Sequence, residues 1–166
     1  RLDSGPLTVC SGEVEILLDD TTPMLGTRLS EVGGDLIRQN LQNILEGNFT
    51  LTEQNESKAT YCSIIKKKDG HLNWKEETAH VIERKLRAYT PWPGIYSFYK
   101  IKSKSDSRHR LQFTKAELVQ GNFECGKIYP ELTVGALTDG LKILYLKPEG
   151  KKEMDADSFL RGNAEI

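Results

Sequence analysis

Long hydrophobic runs are missing from this chain of 166 residues: no apolar stretch approaches the roughly 20 residues that a membrane span needs. The opening, Arg1-Leu2-Asp3, is not the basic-then-apolar start of a secretory signal. Cysteine is scarce and odd in number. Cys10, Cys62 and Cys125 stand far apart, which argues against a disulfide framework and for a reducing compartment, so a cytoplasmic location is expected. Histidine is equally scarce. His71, His80 and His109 form no zinc-ligand spacing with the cysteines, and no metal site is expected. The Asn-x-Ser/Thr sequons at Asn48 and Asn55 carry no weight in a cytoplasmic chain. No internal repeat is visible. An initiator methionine is also missing, so the sequence is expected to be a piece of a longer protein.

What is present is an ordinary globular composition, 37% apolar and 28% charged, in a length that suits one domain or two small ones. The net charge of −1 hides a strong partition. Residues 1–57 hold 3 basic against 10 acidic side chains, residues 58–115 hold 14 against 5, and residues 116–166 hold 6 against 9. A middle block of net +9 between acidic flanks fits either a polyanion partner or a solvated lysine-rich face.

Local patterning divides the chain. Val14, Ile16 and Leu18 alternate with Glu13 and Glu15, so residues 6–18 are expected to form a strand. Thr22 suits an N-cap and Pro23 the first helical position, and Leu25, Leu29, Val32, Leu36, Ile37, Leu41, Ile44 and Leu45 make one helical stripe. Gly33-Gly34 is expected to break or bend that helix, and Gly47 falls just past its end. A polar, turn-rich stretch follows to residue 63, then a basic turn at Lys66-Lys67-Lys68-Asp69-Gly70. Asn73, with Glu76 reaching back, is expected to cap a second helix whose face carries Thr78, Ala79, Ile82, Leu86 and Tyr89, and Pro91 and Pro93 stop it. Trp92 between them is expected to wedge that helix against the β-rich module downstream.

After Gly94 the period changes to two. Strands are expected at Ile95–Ile101, over a stretch beginning with Leu111 and Phe113, at Leu132–Leu137 and at Leu141–Leu146. A polar turn joins the first two at Lys102–Ser107, and Asp139-Gly140 is a hairpin signal between the last two. Tyr96, Phe98 and Tyr99 are expected in the core. Short strands at this spacing suggest a small barrel. Asp155 or Asp157 is expected to cap a last short helix through Phe159 and Leu160.

Several motifs in order resemble the C-terminal half of the methionyl-tRNA formyltransferase family. Leu2-Asp3-Ser4-Gly5 is similar to its Leu-Asp-Thr-Gly, and residues 21–47 to its Thr-x-x-x-Leu-x-x-Leu helix ending in an acidic residue and glycine. Ala59-Thr60-Tyr61 resembles the opening of its interdomain linker, and Asn73-Trp74 its Asp-Trp. Arg87-Ala88-Tyr89-Thr90-Pro91-Trp92-Pro93-Gly94 resembles its Arg-Ala-Phe-Asn-Pro-Trp-Pro-Gly. Asp139-Gly140 and Pro148-x-Gly150-Lys151-Lys152-x-Met154 resemble its Asp-Gly-x-Leu and Pro-x-Gly-Lys-Lys-x-Met.

The resemblance implies an α/β fragment, the last strand and helix of a Rossmann-like catalytic domain, at residues 1–50. It implies a linker with one helix at 51–93 and an OB-like β-barrel that binds tRNA at 94–166. It implies transfer of a formyl group from 10-formyltetrahydrofolate to the amino group of methionyl initiator tRNA, without a metal, by an enzyme that is a monomer. The family's catalytic trio is Asn, His and Asp. Donors stabilise the oxyanion on the formyl carbon, and the carboxylate orients the histidine. Only Asp3 matches that trio here: no Asn-x-His pair and no Ser-Leu-Leu-Pro folate loop occurs in the sequence. The chain alone is therefore expected to be inactive, with Asp3 a solvated residue in isolation and catalytic in the whole protein. Lys66, Lys67, Lys68, Arg87, Lys147, Lys151 and Lys152 are the expected tRNA-phosphate contacts. Arg84, Lys100, Lys102, Lys104, Arg108 and Arg110 supply further charge to the basic block. A non-catalytic RNA-binding module of OB type, or part of a sugar N-formyltransferase, remain open at this point.

Overall fold

The computed structural model of the protein describes residues 4–100 and 108–163. Asp3 and the turn expected at Lys102–Ser107 lie outside the described residues. Two units divide the chain, one over residues 1–64 and one over residues 65–166.

The first unit is built on one long helix, α1 (Thr22–Leu45). Thr21 rather than Thr22 precedes its first turn, so Pro23 falls at the second helical position, where its missing N–H is still one of the unpaired donors. The helix runs unbroken through Gly33-Gly34, contrary to expectation. Two glycines cost helix propensity but remove no backbone hydrogen bond, so a long apolar-striped helix carries them. Gly47, at φ +73°, closes the end: its N–H donates to the Ile44 carbonyl at 3.2 Å and the Asn48 N–H to the Asn43 carbonyl at 2.8 Å.

The strand expected over residues 6–18 is absent. Leu7 alone bridges to Thr52, and Ile16 and Leu18 lie exposed. Alternation marks a strand only where a neighbouring strand takes its backbone hydrogen bonds, and no described segment pairs with residues 8–18. Asp20 organises this segment instead. Its buried carboxylate accepts from the Leu17 N–H at 2.7 Å and pairs with Arg28, whose guanidinium also reaches the Glu15 carbonyl at 2.9 Å.

The second unit is an antiparallel sheet with helices laid on its core. Its strands are β1 (Ile95–Tyr99), β2 (His109–Val119), β3 (Ile128–Tyr129), β4 (Thr133–Gly135), β5 (Gly140–Pro148) and β6 (Met154–Asp155). The spatial order is β1-β2-β5-β4-β3, with β6 beside the far end of β5. The Asp139-Gly140 hairpin forms as expected, with Gly135 opposite Gly140.

One irregularity shapes the sheet. Along β5 from Leu141 on the buried residues are Leu141, Ile143, Leu146 and Pro148, and along β2 they are Leu111 and Phe113, followed by the half-buried Ala116. The step of three in each strand sits where the β2–β5 register slips, between Phe113 and Ala116. A bulge there keeps both halves of each strand facing one core and bends the sheet around it.

Helix α2 (Ala79–Ala88) buries Ala79, Ile82 and Leu86 against that core, and Thr78 caps it by accepting from the Val81 N–H at 3.2 Å. The cap expected at Asn73 is not there. Asn73 opens a separate turn, in which its N–H donates to Glu77, not Glu76, at 3.0 Å. Trp74 from this turn packs edge-on against Phe113 and donates its indole N–H to Ser97 at 3.0 Å. The expected wedge is also displaced: Pro93 is buried and Trp92 lies exposed, because the Gly94 N–H folds back to the Tyr89 carbonyl at 2.9 Å and throws residues 91–92 outward.

Helix α3 (Ala156–Arg161) inserts Phe159, capped by Asp155. The side-chain bond from Ser158 holds the Asp155 carboxyl below its ordinary pKa. Ile143 and Leu146 on β5 are fully enclosed. Ile143→Ala is expected to lower the unfolding free energy by about 2–5 kcal/mol, read from urea denaturation, whereas Leu137→Ala at an exposed site is expected to change it little.

Candidate nucleic-acid interface

The β2–β5 register decides which charged side chains meet. Tyr96 stands opposite Gln112 and Gln112 opposite Lys147, so β1, β2 and β5 each place one polar-tipped side chain on a single row of the outer face. Inward neighbours of that row, Ile95, Phe113 and Leu146, are core.

Beyond Lys147 the chain turns at Pro148–Lys151, with the Lys151 N–H donating to the Pro148 carbonyl at 3.0 Å and Gly150 at φ +72°. The turn folds Lys151 and Lys152 back over the row. Together with Thr90, Pro91, Gly94, Gln112 and Glu153, the three lysines line an open groove of about 560 Å³ that remains net positive. Gly94 is required there. A Cβ on it would fall 2.4 Å from the Gln112 amide nitrogen, and its φ of +69° disfavours any other residue.

The lysine turn is held against the same glycine. Lys67–Gly70 forms one short 3-10 turn in which the Asp69 carboxylate accepts from the Lys66 N–H at 2.7 Å. Gly70 lies so close to the Gly94 carbonyl that a Cβ would fall 2.0 Å from it. Lys66, Lys67 and Lys68 are exposed on this turn.

Arg87 differs from the others. Its guanidinium is engaged two-fold by Glu83 across one turn of α2, Nε to Oε1 at 2.7 Å and a terminal nitrogen to Oε2 at 3.0 Å. Lys147, Lys151 and Lys152 enter no ion pair among the described residues.

Two other grooves on the described surface are net negative. A groove of about 420 Å³ at the other end of β5 holds Glu131, Asp155 and Asp157, and its Lys142 is already paired with Glu131. That pairing raises the Lys142 pKa and lowers the Glu131 pKa. Lys127 is likewise taken by Glu124 at 2.9 Å, which raises its pKa. In the first unit a groove of about 600 Å³ is lined by Glu53, Glu56 and Lys58 among others, a net negative charge that does not suit a polyanion.

The fold thus brings Lys147, Lys151 and Lys152 together, sets Lys66–Lys68 on a turn that flanks the same glycine, and spends Arg87 on an intrahelical bond. Sequence reasoning missed Gln112 and Gly94, whose roles come from a register and a close approach that no local pattern encodes. It also expected Tyr96 and Phe98 in the core. Phe98 is exposed and Tyr96 half-buried on the outer face, because Ile95, Ser97 and Tyr99 take the inward positions of β1.

Among the described residues no group of three or more His, Cys, Asp or Glu side chains is placed to hold a metal ion, and no helix is long and apolar enough to cross a membrane. Nor do the described residues compose a site for a folate donor. The Asn and His expected to flank it do not occur as a pair, and the groove of the first unit presents carboxylates to what would be an anionic ligand.

Residues 64–164 match the family model described as formyl transferase, C-terminal domain. The methionyl-tRNA formyltransferase of Thermodesulfovibrio yellowstonii is 35% identical over 164 residues, 97% of this chain and 50% of that protein. The chain therefore spans about half the length of the curated relatives it matches. Among solved structures, a multiply substituted HypX from Aquifex aeolicus superimposes with a TM-score of 0.60 at 15% identity, over 88% of this chain and 27% of its own. HypX in complex with tetrahydrofolic acid gives 0.53 at 16% identity, over 76% and 22%. These two likenesses establish the fold alone.

If the groove lysines contact phosphate, the double variant Lys151→Ala/Lys152→Ala is expected to reduce the slope of log K against log salt for RNA binding by about 1.5, near 0.7–0.9 per lost contact. Arg87→Ala is expected to leave the slope unchanged. Filter binding across a salt series checks both.

Proposed function

The chain belongs to the formyl transferase C-terminal domain family, and on that premise we propose that it is the C-terminal half of a methionyl-tRNA formyltransferase. The whole protein would transfer a formyl group from 10-formyltetrahydrofolate to the amino group of methionyl initiator tRNA, as a cytoplasmic monomer. The observation that carries this reading is identity running through nearly all of the chain to a protein of that name, not only through the shared domain.

In this reading residues 1–50 close the catalytic domain and contribute Asp3, residues 51–93 link it onward and supply α2, and residues 94–166 form the tRNA-binding module. The bulged, bent sheet is what an OB-like barrel requires. Lys66, Lys67, Lys68, Lys147, Lys151 and Lys152 bind tRNA phosphates. Arg87 braces α2 through Glu83 and makes no phosphate contact.

The chemistry needs an oxyanion donor and a base held in one geometry. With the Asn and His of the trio missing from this sequence, Asp3 has nothing to orient. The chain is thus the half that holds the tRNA and does not by itself catalyse transfer.

The purified chain is expected to bind initiator tRNA with an affinity that falls steeply as salt rises, and to give no formyl transfer from 10-formyltetrahydrofolate to methionyl-tRNA. Turnover by the chain would overturn the assignment of catalysis to residues outside it. Binding indifferent to salt would overturn the phosphate contacts.

A further inference from the structure

Phosphate contacts do not account for the aromatic cluster beside the groove on the same face. On β1, Tyr96 and Phe98 project outward with ring centroids 5.8 Å apart, and His71, bridged to Tyr96 in parallel, stands 5.4 Å from the Tyr96 ring and 5.7 Å from the Phe98 ring. Arg110 on β2, opposite Phe98, lays its guanidinium carbon 4.0 Å over the Tyr96 ring. Among the described residues Arg110 forms no ion pair, and its Nε has no hydrogen-bond partner.

Two of these rings leave much of their apolar area uncovered, while Tyr96 and Arg110 are half-buried. Phe98 is 45% exposed and His71 is exposed, in a unit whose core is otherwise complete. A flat ring with an open face beside a cation is a stacking platform: a nucleobase covers the ring while the cation meets its phosphate. The surroundings choose that occupant over an apolar peptide. Lys66–Lys68 lie just before His71 in the chain, and Arg110 and Gln112 lead along β2 to the lysine groove.

We propose that His71 and Phe98, with Tyr96 held beneath Arg110, form a stacking subsite for an unpaired base of the bound RNA, beside the phosphate groove on the same sheet face, where Tyr96 stands opposite the groove-lining Gln112. This rests on the reading that the second unit binds RNA, and it adds a preference: a single-stranded or looped nucleotide rather than a continuous duplex. Base stacking tolerates any base, so the subsite distinguishes unpaired from paired RNA and not one sequence from another.

The test uses the full chain with a single-stranded RNA of about 10 nucleotides, within the range one such module covers, carrying 2-aminopurine, and a blunt duplex of the same length. The single strand is expected to bind with quenched 2-aminopurine emission. Phe98→Ala and His71→Ala are each expected to weaken that binding about 5- to 150-fold, the loss of one stacked base, and to abolish the quench. Both variants should keep the wild-type salt slope and duplex affinity. Phe98→Tyr, which keeps the ring, is expected to retain binding and quench and serves as the folding control. Equal affinity and quench in Phe98→Ala and the wild type would overturn the subsite, as would an equal loss for single strand and duplex. If the wild-type chain binds neither RNA nor tRNA at low salt, the RNA reading itself fails. If tRNA binds with an ordinary salt slope and the ring substitutions change nothing, only the stacking subsite falls.

Discussion

The pairing of β2 with β5 is the constraint on which the second unit depends. It joins the longest strands, buries Phe113 beside Leu146, and carries the register slip that turns a flat ladder into a bent one. Without that slip the strict period of two would send either Ile143 or Leu146 to solvent. With it, both stay inside and the outer face carries a row from Tyr96 through Gln112 to Lys147. Core and candidate interface are two sides of one register.

Charge then sorts the surface. Cations paired at close range, such as Lys127 with Glu124 and Lys142 with Glu131, are neutralised locally and add nothing to long-range attraction of a polyanion. Lys147, Lys151 and Lys152, without an ion pair among the described residues, gather in one groove. The net charge of −1 therefore says less about a partner than the distribution does. Two glycines make the arrangement possible, because Gly70 and Gly94 let the lysine turn and Gln112 approach the same backbone.

Much of this fold is legible in the sequence. α1, α2, the Asp139-Gly140 hairpin and the Asp155 cap follow from periodicity and turn chemistry, which are local. The failures share a cause. Residues 8–18 alternate as a strand does but find no described partner strand, and a strand is a property of a pair. Asn73 has the cap sequence, yet Thr78 lies closer to the apolar helix face, and burial of Ala79 and Ile82 sets where the helix starts. Phe98 looks like core by composition and lies outside by parity. The lysine groove is visible in the sequence only as individual residues: Lys147 and Lys151 can be named, but their convergence over Gln112 requires the cross-strand register.

Lysine-reactive footprinting of the chain with and without initiator tRNA tests the central claim most directly. Lys147, Lys151 and Lys152 should be protected by tRNA, while Lys127 and Lys142, already held by Glu124 and Glu131, should react equally in both states. Protection of Lys127 and Lys142 with the groove lysines unchanged would contradict the account and move the interface to the opposite end of the sheet.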